Sequence, residues 1–147
     1  MPSIDFSKVK VQPRIPDGWH KAYISKVESG KVSNAGNKMT WLTWKLADSE
    51  GEFAGRTILD NLMEDPQNDG FFIGTLPVLQ AIGLIPADVD TSDPDQLRKL
   101  DDLEWDDDDL VGGEADIKVA YKEYEGRENP RRTAVRIPKV SLESALS

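Results

Sequence analysis

Hydrophobic and polar residues alternate along residues 39–46, a pattern typical of a β-strand with one buried face. Leu42, Trp44 and Leu46 fall on one side of this strand and predict a core face. Trp41 and Lys45 fall on the other side, where an aromatic residue accompanies a cation. A core does not require that combination, so the pattern predicts that the second face binds a ligand.

Two flanking stretches, Gly18–Val27 and Phe53–Leu62, also alternate and predict a strand on each side of the first. Val27 has the wrong parity to join the inner residues of its strand. One extra residue in a strand restores the alternation, so we expect a β-bulge near Ser25 and Lys26. Residues 28–38 are rich in glycine and asparagine and predict a long flexible hairpin loop.

The apolar spacing becomes helical after residue 70, which predicts a helix within residues 71–84 and a second short helix over 94–100. Alternation returns at 111–124 and 133–139, which predicts a fourth and a fifth strand. Residues 127–132 are expected to form the loop between these two strands.

The resulting order of elements is β-β-β-α-β-β. It predicts a mainly β protein: a five-stranded OB-fold Greek-key barrel with a helix between strands three and four and an acidic loop. The expected organisation is an extended N-terminal arm over residues 1–17, a barrel domain over 18–139 and a short tail over 140–147. An isolated meander with a helix is the alternative topology.

The charge is distributed unevenly along the chain. The net charge is −9, yet residues 1–45 contain eight basic and three acidic residues. Residues 86–109 contain eleven acidic and two basic residues, which is the whole of the excess. Because the first third is basic, the acidic composition does not exclude a nucleic-acid partner.

The chain contains no cysteine and a single histidine, His20, which excludes disulfides, thiolate metal sites and histidine pairs. No apolar run is long enough to span a membrane. We therefore expect a cytoplasmic protein without membrane association. Asp95 and Asp116-Ile117-Lys118 match the loose acid–acid–lysine pattern of some metal-dependent nucleases, but such short motifs often match by chance. The sequence predicts a protein that is not an enzyme, with no catalytic residue, metal or cofactor.

The predicted binding surface combines aromatic rings, on which bases can stack, with cations that neutralise phosphates. Alternatively, Trp41 is covered by the N-terminal arm or by a second copy of the chain. The candidate nucleic-acid-binding residues are Trp19, Lys21, Tyr23, Lys38, Trp41, Lys45, Arg56, Tyr124, Arg127, Arg131, Arg132 and Arg136.

Residues 101–109 include seven acidic residues among nine. This segment is expected to be a solvated loop, with two alternatives: it competes for the basic face, or it recruits basic partner proteins. Trp105 lies within it and indicates that part of the segment docks onto the protein.

Five motifs in order carry a resemblance to a known family: Pro16-Asp17-Gly18, Gly36-Asn37-Lys38-Met39, Phe53-Ala54-Gly55-Arg56-Thr57-Ile58, Ala81-Ile82-Gly83-Leu84, and the run from Leu110 to Val135. With them, residues 13–139 resemble small bacteriophage OB-fold proteins that are encoded among replication and recombination genes and regarded as single-stranded DNA-binding proteins. Such relatives often end in an acidic tail closed by an aromatic residue, whereas this chain ends in Ser144-Ala145-Leu146-Ser147.

The resemblance implies that the protein coats single-stranded DNA with little sequence preference during phage replication or recombination. The implied partners are single-stranded DNA and phage or host replication and recombination proteins, and homo-oligomers are possible. A protein of this kind would work in the cytoplasm of the host cell. The alternative is a protein-interaction module or DNA mimic that uses the acidic segment against a basic partner.

Overall fold

A computed structural model describes residues 3–8, 13–100 and 105–138 of the chain. Its strands are β1 (Gly18–Val32), β2 (Lys38–Leu46), β3 (Thr57–Met63), β4 (Glu114–Tyr124) and β5 (Arg127–Arg136). Its helices are α1 (Leu76–Ala81), α2 (Pro94–Arg98) and α3 (Asp107–Leu110). Short 3-10 turns lie at Phe6–Lys8 and Asp48–Phe53, and a π-helical turn lies at Phe71–Thr75.

The five strands form one antiparallel sheet in the order β3-β2-β1-β4-β5. This confirms a mainly β protein with five strands and few helices. β3 and β5 are the edges of the sheet. The helical segment between β3 and β4 lies at the predicted place in the chain, and Val78 and Leu79 of α1 are fully buried.

The core consists of the residues that the alternation places inward. Leu42, Trp44 and Leu46 of β2 are each at most 1% exposed, and Ile24 of β1 and Ile117 of β4 are fully buried. The predicted bulge in β1 is confirmed, because the register with β2 shifts between Ile24 and Lys26. This shift brings Val27 opposite Leu42 and restores the inward parity of β1.

The first hairpin is longer and tighter than predicted. β1 runs on to Val32, which lies opposite Lys38, so the expected long loop is replaced by a turn over residues 33–37. The Ser33 N–H donates to the Asn37 carbonyl oxygen across this turn at 2.9 Å. A second register shift between Glu28 and Lys31 accommodates the glycine at position 30. β3 is shorter than predicted, because Asp48–Phe53 forms a 3-10 turn before it.

The last hairpin also differs from its prediction. β5 begins at Arg127 directly after a two-residue turn, in which both Glu125 and Gly126 have positive φ, as such tight hairpin turns require. The expected loop over 127–132 is therefore part of the strand. Pro130 is accommodated because β5 is an edge strand. Lys139 and the tail over 140–147 lie outside the described residues.

A buried ion pair joins the two edges of the sheet. The Arg132 Nε on β5 donates to the Asp60 carboxylate on β3, and both side chains are at most 10% exposed. Trp44 Nε1 donates to the same carboxylate at 2.9 Å. Arg132 Nη2 also lies 3.4 Å from the carbonyl oxygen of Gly74. β5 is thereby fixed beside β3, although the two strands are not neighbours in the hydrogen-bonded order.

Residues 13–15, shortly before β1, pack against the sheet. Ile15 is 1% exposed, and its N–H donates to the Tyr121 hydroxyl at 3.0 Å. The carbonyl oxygen of Pro13 accepts a 2.7 Å hydrogen bond from Arg56, and Arg14 stacks on the ring of Tyr121. Residues 13–15 of the predicted arm therefore pack against the domain. Among the described helices, none is both long and apolar enough to cross a membrane.

Candidate nucleic-acid interface

A groove of about 650 Å³ lies across the outer surface of the sheet and over the approach of β3 to β5. All five strands contribute to it, so its long direction crosses the strands. Its lining residues are Lys26, Glu28, Met39, Trp41, Leu42, Thr43, Leu59, Asp60, Asn61, Lys122, Arg131 and Arg132.

Trp41 of β2 is one of the residues that line this groove. It lies on β2 opposite Glu28 of β1 and Asn61 of β3, and it is 44% exposed. The described contacts of the N-terminal segment are made to other residues, so that part of the arm does not cover the indole. The predicted outward orientation of Trp41 is therefore found.

Leu59 extends the apolar floor of the groove. It lies on β3 opposite Thr43, two pairs along the ladder from Trp41 and therefore on the same face, and it is 61% exposed. Met39 adds a third apolar side chain, which is almost fully buried. A planar, uncharged ligand such as a nucleobase can lie against such a surface, since every base has an apolar π-face.

A group of alternating charges borders Trp41 on the β1 side. Glu28 pairs with Lys26 at 2.8 Å and with Lys31 at 3.6 Å. The Lys31 ammonium lies 4.8 Å from the centroid of the Trp41 ring, which is within cation–π range. The hydrogen bond from Lys26 lowers the pKa of the Glu28 carboxyl and raises the pKa of the Lys26 ammonium. These charged groups therefore stabilise one another.

The other wall of the groove carries Lys122 of β4 and Arg131 of β5. Arg131 faces outward, opposite Ala120. Arg132 differs from its predicted role, because its side chain is 7% exposed and pairs with Asp60 beneath the groove. A bulge at the β4–β5 ladder causes this, since Lys118 lies opposite Ala134 whereas Val119 lies opposite Arg132. The register shift turns Arg132 inward.

Trp19 belongs to a second cluster at the far end of β1. Its ring lies 3.9 Å from the guanidinium carbon of Arg136, which also contacts Asp116 at 3.3 Å. Trp19 lies opposite Lys118 of β4, whereas Trp41 lies opposite Glu28 nine residues further along β1. That separation corresponds to roughly 30 Å of strand. The single aromatic face expected from the sequence is therefore divided into two clusters.

The remaining predicted residues lie around or between these clusters. Lys45 lies opposite Tyr23 in the β1–β2 ladder, and Lys21 is exposed opposite Asp116. Lys38 is exposed at the start of β2. Arg56 is half-buried and donates a hydrogen bond to the carbonyl oxygen of Pro13.

The tip of the last hairpin contains two more of the predicted residues. Arg127 is exposed and pairs with Tyr124 in the β4–β5 ladder. Tyr124 belongs to β4, but its side chain lies outside the described structure. Arg127 does not line the groove.

The described part of the acidic segment, residues 105–109, lies apart from the groove. Residues 101–104 lie outside the described part of the chain, but Asp107–Leu110 forms α3, and Trp105 packs against the core. A second cavity, of about 620 Å³, is lined by Ser29, Thr40, Glu64, Trp105, Asp106, Asp107 and Asp108. Thr40 and Trp41 are neighbours on β2 and point to opposite faces. None of Asp106–Asp109, the described acidic residues of this segment, lines the groove.

The residues of the nuclease pattern are engaged in separate contacts. Asp95 is exposed and pairs with Arg98 on α2, whereas Asp116 is buried on β4 and pairs with Arg136. Within residues 3–8, 13–100 and 105–138, no three or more acidic or histidine side chains are arranged to hold a metal ion.

Nine of the twelve groove residues are not among the binding residues predicted from the sequence: Lys26, Glu28, Met39, Leu42, Thr43, Leu59, Asp60, Asn61 and Lys122. Leu59 had a detectable signal, since it is an apolar residue at an outward position of β3. For Lys26 and Lys122 the sequence carries no signal beyond their charge. Their position at the groove depends on the bulge in β1 and on the length of the last hairpin. No family model matches this chain, and a search of curated proteins found no significant match.

Proposed function

We propose that this protein is an OB-fold single-stranded DNA-binding protein that coats DNA with little sequence preference. The order β3-β2-β1-β4-β5, the helix between β3 and β4, and the ion pair between β3 and β5 support a barrel of the OB type. Proteins with that fold bind oligonucleotides on the face of strands two and three and on the adjacent hairpin loops. The groove lies on the corresponding surface.

The observation that carries the proposal is the composition of the groove. An exposed indole and an exposed leucine form its floor, with Lys26 on one side and Lys122 and Arg131 on the other. Bases would stack on Trp41 and lie against Leu59, while the cations neutralise the phosphates between the bases. Stacking does not distinguish the bases, so this chemistry favours binding of any sequence. The expected setting is phage replication or recombination in the cytoplasm of a host cell.

The test is a fluorescence titration with oligo-dT at two salt concentrations. Stacking on Trp41 should quench tryptophan emission, and the slope of log affinity against log salt should be about −0.7 per phosphate neutralised. Trp41→Ala should weaken binding by roughly 5- to 160-fold, which corresponds to about 1–3 kcal/mol for one stacked base. Trp41→Phe retains an aromatic ring and should lose much less affinity.

The proposal fails if folded wild-type protein binds no oligo-dT at low salt. It also fails if Trp41→Ala binds as tightly as wild type. Duplex DNA of the same length serves as a competitor, because its bases are not available to stack on an indole. Equal affinity for duplex and single strand would indicate nonspecific electrostatic binding.

A second candidate function is a protein-interaction module or DNA mimic. It is favoured by the cavity in which Glu64 and Asp106–Asp108 surround Trp105. This surface presents carboxylates beside an aromatic ring and would suit a basic protein partner. Binding of a basic partner together with failure to bind oligo-dT would support this candidate over the first.

A further inference from the structure

The charged residues beside Trp41 form an arrangement that the aromatic stacking alone does not explain. Glu28 lies between two lysines, with one carboxylate oxygen 2.8 Å from the Lys26 ammonium and the other 3.6 Å from the Lys31 ammonium. The second lysine extends over the indole, 4.8 Å from its centroid. An acid at the edge of a nucleic-acid groove would repel a phosphate, so its presence needs an explanation.

The carboxylate has the same chemistry as one phosphodiester group. Both carry a single negative charge on two equivalent oxygens, and both accept hydrogen bonds from ammonium groups. Glu28 presents its oxygens to Lys26 and Lys31 as a bridging phosphate would. A nucleotide whose base stacks on Trp41 would bring its own phosphate close to these two lysines, since Glu28 is the β1 residue opposite Trp41.

We infer that Lys26 and Lys31 form a phosphate-binding subsite beside Trp41, and that Glu28 occupies this subsite in the free protein. The ligand is a phosphodiester of single-stranded nucleic acid, so the inference rests on the proposed function. On binding, the phosphate replaces the Glu28 carboxylate between the lysines, and Lys31 moves off the face of Trp41 as the base stacks there. Glu28 thereby lowers the affinity of the groove and limits nonspecific binding of anions.

The three side chains are exposed to solvent, which allows a phosphate to replace the Glu28 carboxylate. Glu28 and Lys31 are each a little over one-third exposed, and Lys26 is two-thirds exposed. Ion pairs of this exposure stabilise a protein weakly, by at most about fivefold in an equilibrium constant. An incoming phosphate therefore breaks these ion pairs at a small cost in free energy. Breaking the buried Arg132–Asp60 pair would cost much more.

The experiment compares Glu28→Gln with Glu52→Gln in titrations with oligo-dT of about 16 nucleotides, the upper end of the site size of one such barrel. Both variants lose one negative charge, but Glu52 is exposed on the turn before β3 and does not line the groove. Glu28→Gln should bind oligo-dT roughly three- to tenfold more tightly than wild type, because the ion pairs of Glu28 with Lys26 and Lys31 no longer compete with the phosphate. Glu52→Gln should change the affinity by less than about twofold, since distant exposed charges are screened by salt.

A second pair of variants tests the subsite directly. Lys31→Met keeps the length of the side chain and removes the charge, and Lys99→Met makes the same change at an exposed position outside the groove. Lys31→Met should bind more weakly, with a salt slope less steep by about 0.7, as expected for one lost phosphate contact. Lys99→Met should keep the wild-type slope. Thermal melting of each variant establishes that it is folded.

The outcomes separate the subsite from the proposed function. If wild-type protein binds no oligo-dT, the proposed function fails and the subsite fails with it. If wild type binds but Glu28→Gln binds no more tightly than Glu52→Gln, the subsite is refuted while the function stands. If Glu28→Gln does not fold, the lysine variants decide, and equal salt slopes for Lys31→Met and Lys99→Met refute the subsite.

Discussion

The ion pair beneath the groove allows a quantitative prediction about stability. Arg132 and Asp60 are 7% and 10% exposed, so their energetics should follow those of buried pairs rather than surface pairs. Removing one partner of a buried pair leaves an uncompensated charge and costs about 3–5 kcal/mol. A domain of this kind has a total stability of about 5–15 kcal/mol, so either single change removes a large part of it.

The perturbations are Arg132→Met, Asp60→Asn and the two changes combined. Asp60→Asn retains an oxygen that can accept the Trp44 indole N–H, so it isolates the effect of the lost charge. With a urea dependence of about 2 kcal/mol per molar, a loss of 3 kcal/mol lowers the unfolding midpoint by about 1.5 M. The double variant should recover more than half of that loss, because neither charge is then buried without a partner.

The assay is urea unfolding followed by circular dichroism, with Glu128→Gln as the control. Glu128 pairs with Arg14 at 2.7 Å, but both side chains are more than half exposed. Breaking this pair should cost less than about 1 kcal/mol. If Arg132→Met and Asp60→Asn cost no more than Glu128→Gln, the ion pair does not hold β5 to β3. The account of how the sheet edges are joined would then be refuted.

Two further predictions concern binding and pH. Trp19→Ala should weaken binding of a long oligo-dT by about fivefold, which corresponds to about 1 kcal/mol, the low end for one stacked base. The affinity for an oligo-dT that fills only the Trp41 groove should not change. Equal losses of affinity with both lengths would contradict two separate clusters. The lowered pKa of Glu28 means that its contribution to stability is fully present above the ordinary carboxyl range and disappears as the pH falls through the lowered value. The difference in unfolding midpoint between wild type and Glu28→Gln should therefore vanish on acidification from neutral pH, and a difference that persists in acid would exclude the ion pair as its source.

Much of the strand arrangement could be predicted from the sequence, because parity along a half-buried strand directly reflects burial. The alternation predicts Leu42 and Trp44 in the core and Trp41 at the surface, and the structure confirms all three positions. The bulge near Ser25 was also predictable, since it leaves a visible break in the alternation at Val27. These features depend on residues that are close in sequence.

The features that could not be predicted depend on contacts between distant parts of the chain. The bulge at Thr133 turns Arg132 inward, yet this part of β5 has no apolar alternation that would reveal a shift. The extension of β1 beyond Val27 depends on pairing with β2, which outweighs the loop-forming tendency of Gly30. The sequence predicts Ile15 in an extended arm. Its place in the core accompanies the hydrogen bond from its N–H to the hydroxyl of Tyr121, a residue far away in the sequence. The groove combines residues of five strands, so its lining residues could be predicted only from the register of every strand pair.

Crowding along a single strand should respond to salt in two opposing ways. If the protein coats single-stranded DNA as proposed, each bound molecule would place its groove against the phosphates and leave the acidic surface around α3 away from them, with −9 as the charge of the whole chain. Neighbouring molecules on one strand would then repel one another through these surfaces. Added salt lowers the affinity of each molecule for the DNA. It also shortens the screening length of the repulsion, from about 10 Å at 0.1 M to about 3 Å at 1 M. The densest filaments are therefore expected at intermediate ionic strength, where neither effect dominates.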